Sequence, residues 1–132
     1  MNIQEQVDHL IDTRPGKELL IPVYDDPAYP VVDGLIYRSG GTTATYMILT
    51  DNGRIIVNAG MGYEAPHHKR VFDAICPGPT HYIFTTQGHV DHVGGVDLFK
   101  ESGTKYVAQA NNPAHQREDK RIQGLRMRTA GI

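Results

Sequence analysis

The chain of 132 residues is 39% hydrophobic and 21% charged, an ordinary globular composition that suits one domain with a sizeable core and excludes a disordered tract. Its formal charge of -2, with acids and bases interspersed, leaves no broad basic field for nucleic acid and no polybasic patch for a membrane surface. One cysteine, Cys76, rules out an internal disulfide, and with neither a basic-apolar leader in Met1 to Leu10 nor an apolar run of membrane length, the cytoplasm is the expected location.

Ile3, Val7, Leu10 and Ile11 fall at helical spacing before Arg14-Pro15-Gly16, which predicts a short amphipathic helix. From Ile21 to Val32, prolines, Asp25-Asp26, Tyr24 and Tyr29 describe an extended segment with no period and no assigned role. Leu35 to Arg38, Ala44 to Thr50 and Arg54 to Asn58 read as three strands of a mainly antiparallel sheet, with Asn52-Gly53 as a hairpin turn because both residues accept positive φ. Glu64-Ala65-Pro66 opens a helix to about Ile75, with Pro66 near the first turn, where a missing N–H does no harm. His67 and His68, being adjacent, diverge around that helix and are expected at the surface. Cys76, before Pro77-Gly78-Pro79, reads as a small buried hydrophobe at the helix end.

His81 to Thr86 is the next expected strand, followed by a helix from Val93 to Lys100 that buries Val96 and Phe99 and stops at Ser102-Gly103. Lys105 to Gln109 is expected to run parallel to the strand at Tyr82, since a helix connects them. Asn112-Pro113 reads as the cap and start of a last helix to about Arg121, and the run Arg117 to Arg128, alternating with Glu118 and Asp119, as a solvated face. His115, in the first turn, receives no ligand role, and the tail from Gly124 carries no domain-ending signal.

Between the strand at Tyr82 and the next helix lies Gln87-Gly88-His89-Val90-Asp91-His92-Val93-Gly94-Gly95. In an extended segment Gln87, His89 and Asp91 share one side, while His92 breaks the parity, so the chain must turn there for all four to converge. Imidazole and carboxylate donors suit zinc, iron or manganese, and without a nearby thiolate the pattern excludes a zinc finger.

These residues resemble the signature of the metallo-β-lactamase-fold hydrolases, His-x-His-x-Asp-His before glycines, with Gln87 in place of the first histidine. The likeness extends upstream through Asp33-Gly34-Leu35-Ile36-Tyr37, Tyr46 to Thr50, Asn52-Gly53 and Ile55-Ile56-Val57-Asn58-Ala59-Gly60, where Asn58 stands for the family's usual Asp. The resemblance implies an α/β (α+β) fold, the amino-terminal βα half of an αβ/βα sandwich. One incomplete domain over 1–132 is therefore expected, with a leading helix and extended segment over 1–33 and the sheet, motif loop and helices over 34–132. Forty residues and one histidine follow His92, too little for the family's second half and its further ligands.

What the resemblance implies chemically is metal-assisted hydrolysis, a hydroxide on zinc (one or two ions, or iron or manganese) attacking an ester, lactam, thioester or related bond of a small-molecule substrate. His89 would hold the first metal and Asp91 and His92 the second, with Asp91 also orienting the nucleophilic water. Gln87 would be a weaker ligand than the histidine it replaces, and Asn58 would support a ligating imidazole without adding charge. The alternative is a catalytically inactive fold relative acting through self-association or partner binding. The bare sheet face of such a half predicts either a homo-oligomer or association with a missing carboxy-terminal half.

Overall fold

The computed structural model describes residues 2, 4–6, 9, 13 and 27–130. The amphipathic helix expected at Ile3 to Ile11 and the extended segment through Tyr24 rest on residues outside those described. Six strands form one mixed sheet in sequential order: β1 (Tyr29–Val32), β2 (Ile36–Ser39), β3 (Thr45–Thr50), β4 (Gly53–Val57), β5 (Thr80–Phe84) and β6 (Lys105–Val107). The first four pair antiparallel, whereas β4–β5 and β5–β6 pair parallel. Parallel neighbours need a crossover, and α1 (Ala65–Asp73) and then α2 (Val90–Val93) with α3 (Val96–Phe99) supply them before α4 (Asn112–Ala130) ends the described chain.

The sheet buries one face by period-two alternation. Met47 pairs with Ile56 across β3 and β4, and both are fully buried with Ile83 beneath Phe72 of α1 and Phe99 of α3. Burying each such side chain stabilises the fold by roughly 1.5–3 kcal/mol. Tyr37, Val71, Cys76 and Val96 pack around this cluster, so Cys76 is a small apolar side chain just past the end of α1, half-buried rather than buried as expected.

Several expected boundaries shift for local reasons. The hairpin turn is Asp51-Asn52, because Thr50 pairs with Gly53 and only Gly53 takes positive φ, at 129°. The helix expected from Val93 breaks into α2 and α3 at Gly94-Gly95 and starts earlier, at Val90. The last helix runs on through Gly124 to Ala130, carried by Leu125, Arg126, Met127 and Arg128, all good helix formers. Among the described residues, no helix is long and apolar enough to cross a membrane.

Candidate functional site

The carboxyl ends of β4 and β5 lie side by side, and the chain leaves both there; in open α/β sheets this is where ligands bind. Asn58, just past β4, takes φ 59°, a left-handed conformation that asparagine tolerates better than most residues, and its amide donates to the Phe84 carbonyl at 2.7 Å. The loop beyond it then grips the motif through backbone bonds, Ala59 N to His92 O at 2.9 Å and Gly95 N to Gly60 O at 3.2 Å. A Cβ on Gly94 would lie 2.7 Å from Gly62 N, and one on Gly95 would clash with the Ala59 carbonyl. Two glycines in succession are what allow this close approach.

Donor and acceptor chemistry fixes the protons around His92. Asn58 Oδ1 accepts from the Thr86 backbone N–H at 3.0 Å and from Thr86 Oγ1 at 3.1 Å. Having spent its hydrogen on Asn58, the Thr86 hydroxyl can only accept at His92 Nδ1, 3.3 Å away, so Nδ1 carries the ring hydrogen. The lone pair is then on Nε2, which accepts from the Gln87 amide nitrogen at 2.7 Å. Asn58 thus orients the imidazole through Thr86 rather than by touching it. The motif alone does not show this relay; its one signal in the sequence is the hydroxyl pair Thr85-Thr86 just before Gln87.

Asp91 sits beside His92, with Oδ2 3.3 Å from Nε2, and accepts a hydrogen bond from the Thr43 hydroxyl. His89 goes elsewhere: its ring packs edge-on against His115 of α4 with centroids 4.7 Å apart. The extended run that would have aligned Gln87, His89 and Asp91 is not formed, because helical geometry begins at Val90 with extended His89 as its cap. The structure therefore joins Gln87, Asp91, His92 and, through Thr86, Asn58, and pairs His89 with the histidine that had been given no role.

A separation of 3.3 Å is close to the edge of a tetrahedron with ligand bonds of about 2.0 Å, so Asp91 Oδ2 and His92 Nε2 fit two adjacent positions on one zinc ion. No group of three His, Cys, Asp or Glu side chains able to hold an ion exists among the described residues. The donor pair fits an ion in part and leaves its other positions to further donors.

Behind this surface lies a buried polar cluster that corrects the expectation for His67 and His68. Both are buried, His68 completely, because Gly41 and Gly60 offer no side chain to exclude its ring; a Cβ on Gly60 would lie 2.5 Å from His68 Nε2. His68 Nδ1 meets Ser39 Oγ at 2.7 Å, and Nε2 has no hydrogen-bond partner among the described residues. Burial pushes its pKa down from 6.5 to about 4, against the pull of the Glu64 carboxylate and with a small further push from His67. Glu64 is fully buried beside it.

A family model for the metallo-β-lactamase superfamily matches residues 38–129, more than half of the chain. The chain belongs to the metallo-β-lactamase superfamily. Among curated proteins, no sequence matches significantly. Solved metallo-β-lactamases superpose on it: a subclass B3 enzyme of Bradyrhizobium japonicum has a TM-score of 0.60 at 25% identity, covering 73% of this chain and 36% of its own. A metallo-β-lactamase of Cronobacter sakazakii described by its HARLDQ motif gives 0.55 at 25% identity over 70% and 36%, and the native enzyme from Legionella gormanii gives 0.53 at 26% over 61% and 32%. The chain thus spans about a third of the length of these metallo-β-lactamases. Its mixed sheet with helices is the superfamily's fold, as the sequence resemblance implied, and a metallo-hydrolase type of architecture follows from that membership.

Proposed function

We propose that this chain contributes part of the metal centre of a metal-dependent hydrolase acting on an ester, lactam, thioester or related bond in a small molecule. The observation that carries the reading is the Asp91–His92 pair, a carboxylate oxygen and an imidazole lone pair 3.3 Å apart at the carboxyl end of a parallel strand pair. A divalent ion held there, zinc foremost, would supply Lewis acidity and lower the pKa of a water to about 7. Three neighbouring side chains ready that pair. Asn58 and Thr86 hold His92 in the tautomer whose lone pair is on Nε2, beside Asp91, and Thr43 fixes the carboxylate of Asp91. Gln87 opposes them, since its amide already engages that lone pair and must release a hydrogen bond worth about 1 kcal/mol before His92 can act as a ligand.

The Cronobacter relative, named a metallo-β-lactamase, is described by HARLDQ, so departures from the family's six-residue pattern occur under that name. Purified protein assayed with zinc against p-nitrophenyl acetate, nitrocefin and an acyl thioester tests the reading. Hydrolysis lost in both Asp91→Ala and His92→Ala supports it, and turnover unchanged in either variant contradicts it.

A second reading, an inactive relative that works by association, draws on two observations. The Gln87 amide satisfies the His92 lone pair internally, and Phe84 and Val107, 37% exposed each, lie next to one another across β5 and β6. A metal-free, stable oligomer without hydrolysis in the same assays is its signature.

A further inference from the structure

We propose that Glu64 is a positioning residue for Asp91, acting through the Thr42-Thr43 segment; the inference rests on reading Asp91 as a carboxylate that holds an ion. Glu64 does not touch Asp91. Its side chain is fully buried ahead of α1 and accepts three hydrogen bonds: Thr42 N and Thr42 Oγ1 on Oε1, both at 2.7 Å, and Met61 N on Oε2 at 3.0 Å. Burying a carboxylate is costly unless its oxygens are satisfied, and bonds to an ionised acceptor are roughly twice as strong as neutral ones.

The donors come from the two loops that flank the motif. A Cβ at Gly41 would lie 3.2 Å from Glu64 Oε2, and one at Gly60 would lie 3.4 Å from it, so both loops close tightly on the carboxylate. With the Thr42 backbone and hydroxyl fastened, the next residue has little freedom, and the Thr43 hydroxyl is delivered to Asp91 Oδ2. That same oxygen faces His92 Nε2. Glu64 therefore sets the orientation of Asp91 at one remove.

Only a carboxylate suits the position. Each of the two oxygens faces a backbone N–H, Thr42 on one side and Met61 on the other. A glutamine in either orientation turns its NH2 toward one of those donors, so the isosteric change breaks the clamp without altering its size.

The test is the dissociation constant of zinc from the full chain, measured by chelator competition. Glu64→Gln is expected to raise it about tenfold, in the range seen when partners of metal ligands are removed. Thr43→Val is expected to do the same, the double variant no more than either single one, and Thr43→Ser to stay within about twofold of the parent. Asp73→Asn, at the far end of the sheet, controls for lost stability alone and is expected to lower the melting temperature with the constant unchanged.

A parental constant in Glu64→Gln, or losses that multiply to about a hundredfold in the double variant, overturns the proposal. If Glu64→Gln does not fold, Thr42→Val removes one of the three bonds, and a parental constant there is equally fatal. Absence of zinc binding in the parent chain and every variant instead overturns the ion-holding role of Asp91, and this proposal with it.

Discussion

The two ends of β4 are built from polar side chains in opposite ways. At its start Arg54 is fully buried, yet Nε donates to Thr80 Oγ1 at 3.0 Å and Nη1 to Asp73 Oδ1 and the Cys76 carbonyl at 2.6 Å each. Glu101 stands 4.0 Å from Nη2, and the guanidinium lies 6.0 Å from the centre of the Phe99 ring. The Arg54 charge there is buried and paired with Asp73, although Nη2 has no hydrogen-bond partner among the described residues, and it ties the end of α1, the start of β5 and the turn after α3 into one corner. Past the other end of the strand, Asn58, Thr86 and His92 form a chain of neutral hydrogen bonds that ends on a lone pair, with Asp91 partly open to solvent beside it. The first cluster ties elements of the fold together, whereas the second leaves a carboxylate oxygen and an imidazole lone pair side by side, with only the Gln87 amide on that lone pair.

Removing charge balance from the closed end has the largest expected effect. Asp73→Ala leaves Arg54 buried without its main partner and is expected to cost about 3 kcal/mol in chemical denaturation, with zinc affinity unchanged. Lost zinc binding in that variant would break the distinction between the ends. The Asp73 carboxyl lies below its usual pKa because hydrogen bonds from Lys69 and Arg54 outweigh burial, which alone would raise it. Its contribution is therefore held above the unfolded value of 3.8 and lost as pH falls below it.

His68 gives the site end its own pH signature. Its folded pKa of about 4 is below the unfolded 6.5, so between these values the unfolded chain binds a proton that the folded chain does not. Stability is full above pH 6.5 and falls by up to about 3 kcal/mol on acidification to pH 4. Denaturation at intervals over that range checks it, and His68→Gln should flatten the slope; an unchanged slope in the variant would place its origin elsewhere.

Smaller effects come from Asn58, where two terms separate. Asn58→Ala loses the bonds to Thr86 and keeps the strain of a left-handed backbone, for about 2 kcal/mol, while Asn58→Gly relieves the strain and costs about 1 kcal/mol. Equal losses in the two would show that φ contributes nothing there.

The sheet was legible in the sequence because its alternation has a period of two and its turns carry Asn and Gly; Met47, Ile56 and Ile83 announce a buried face, and the motif announces the strand end. What was not legible depends on distance in space. His67 and His68 look like surface residues until Gly41 and Gly60 are seen to leave room for a ring, and only the folding of α4 over Gly88 brings His115 to His89. The alignment of Gln87, His89 and Asp91 assumed an extended backbone, and a helix start at Val90 removed it. Arg54 gave no warning, since nothing local distinguishes an arginine that will be enclosed from one that will be solvated.

On the proposed reading Asp91 and His92 together hold a divalent ion, and the decisive measurement is zinc bound per chain after equilibrium dialysis. The parent chain should bind zinc, Asp91→Ala and His92→Ala should lose it, and Gln87→His, which removes the competing amide and adds an imidazole, should bind at least about tenfold more tightly. Zinc content at background in the parent chain, or undiminished in Asp91→Ala, would show that the pair holds no ion.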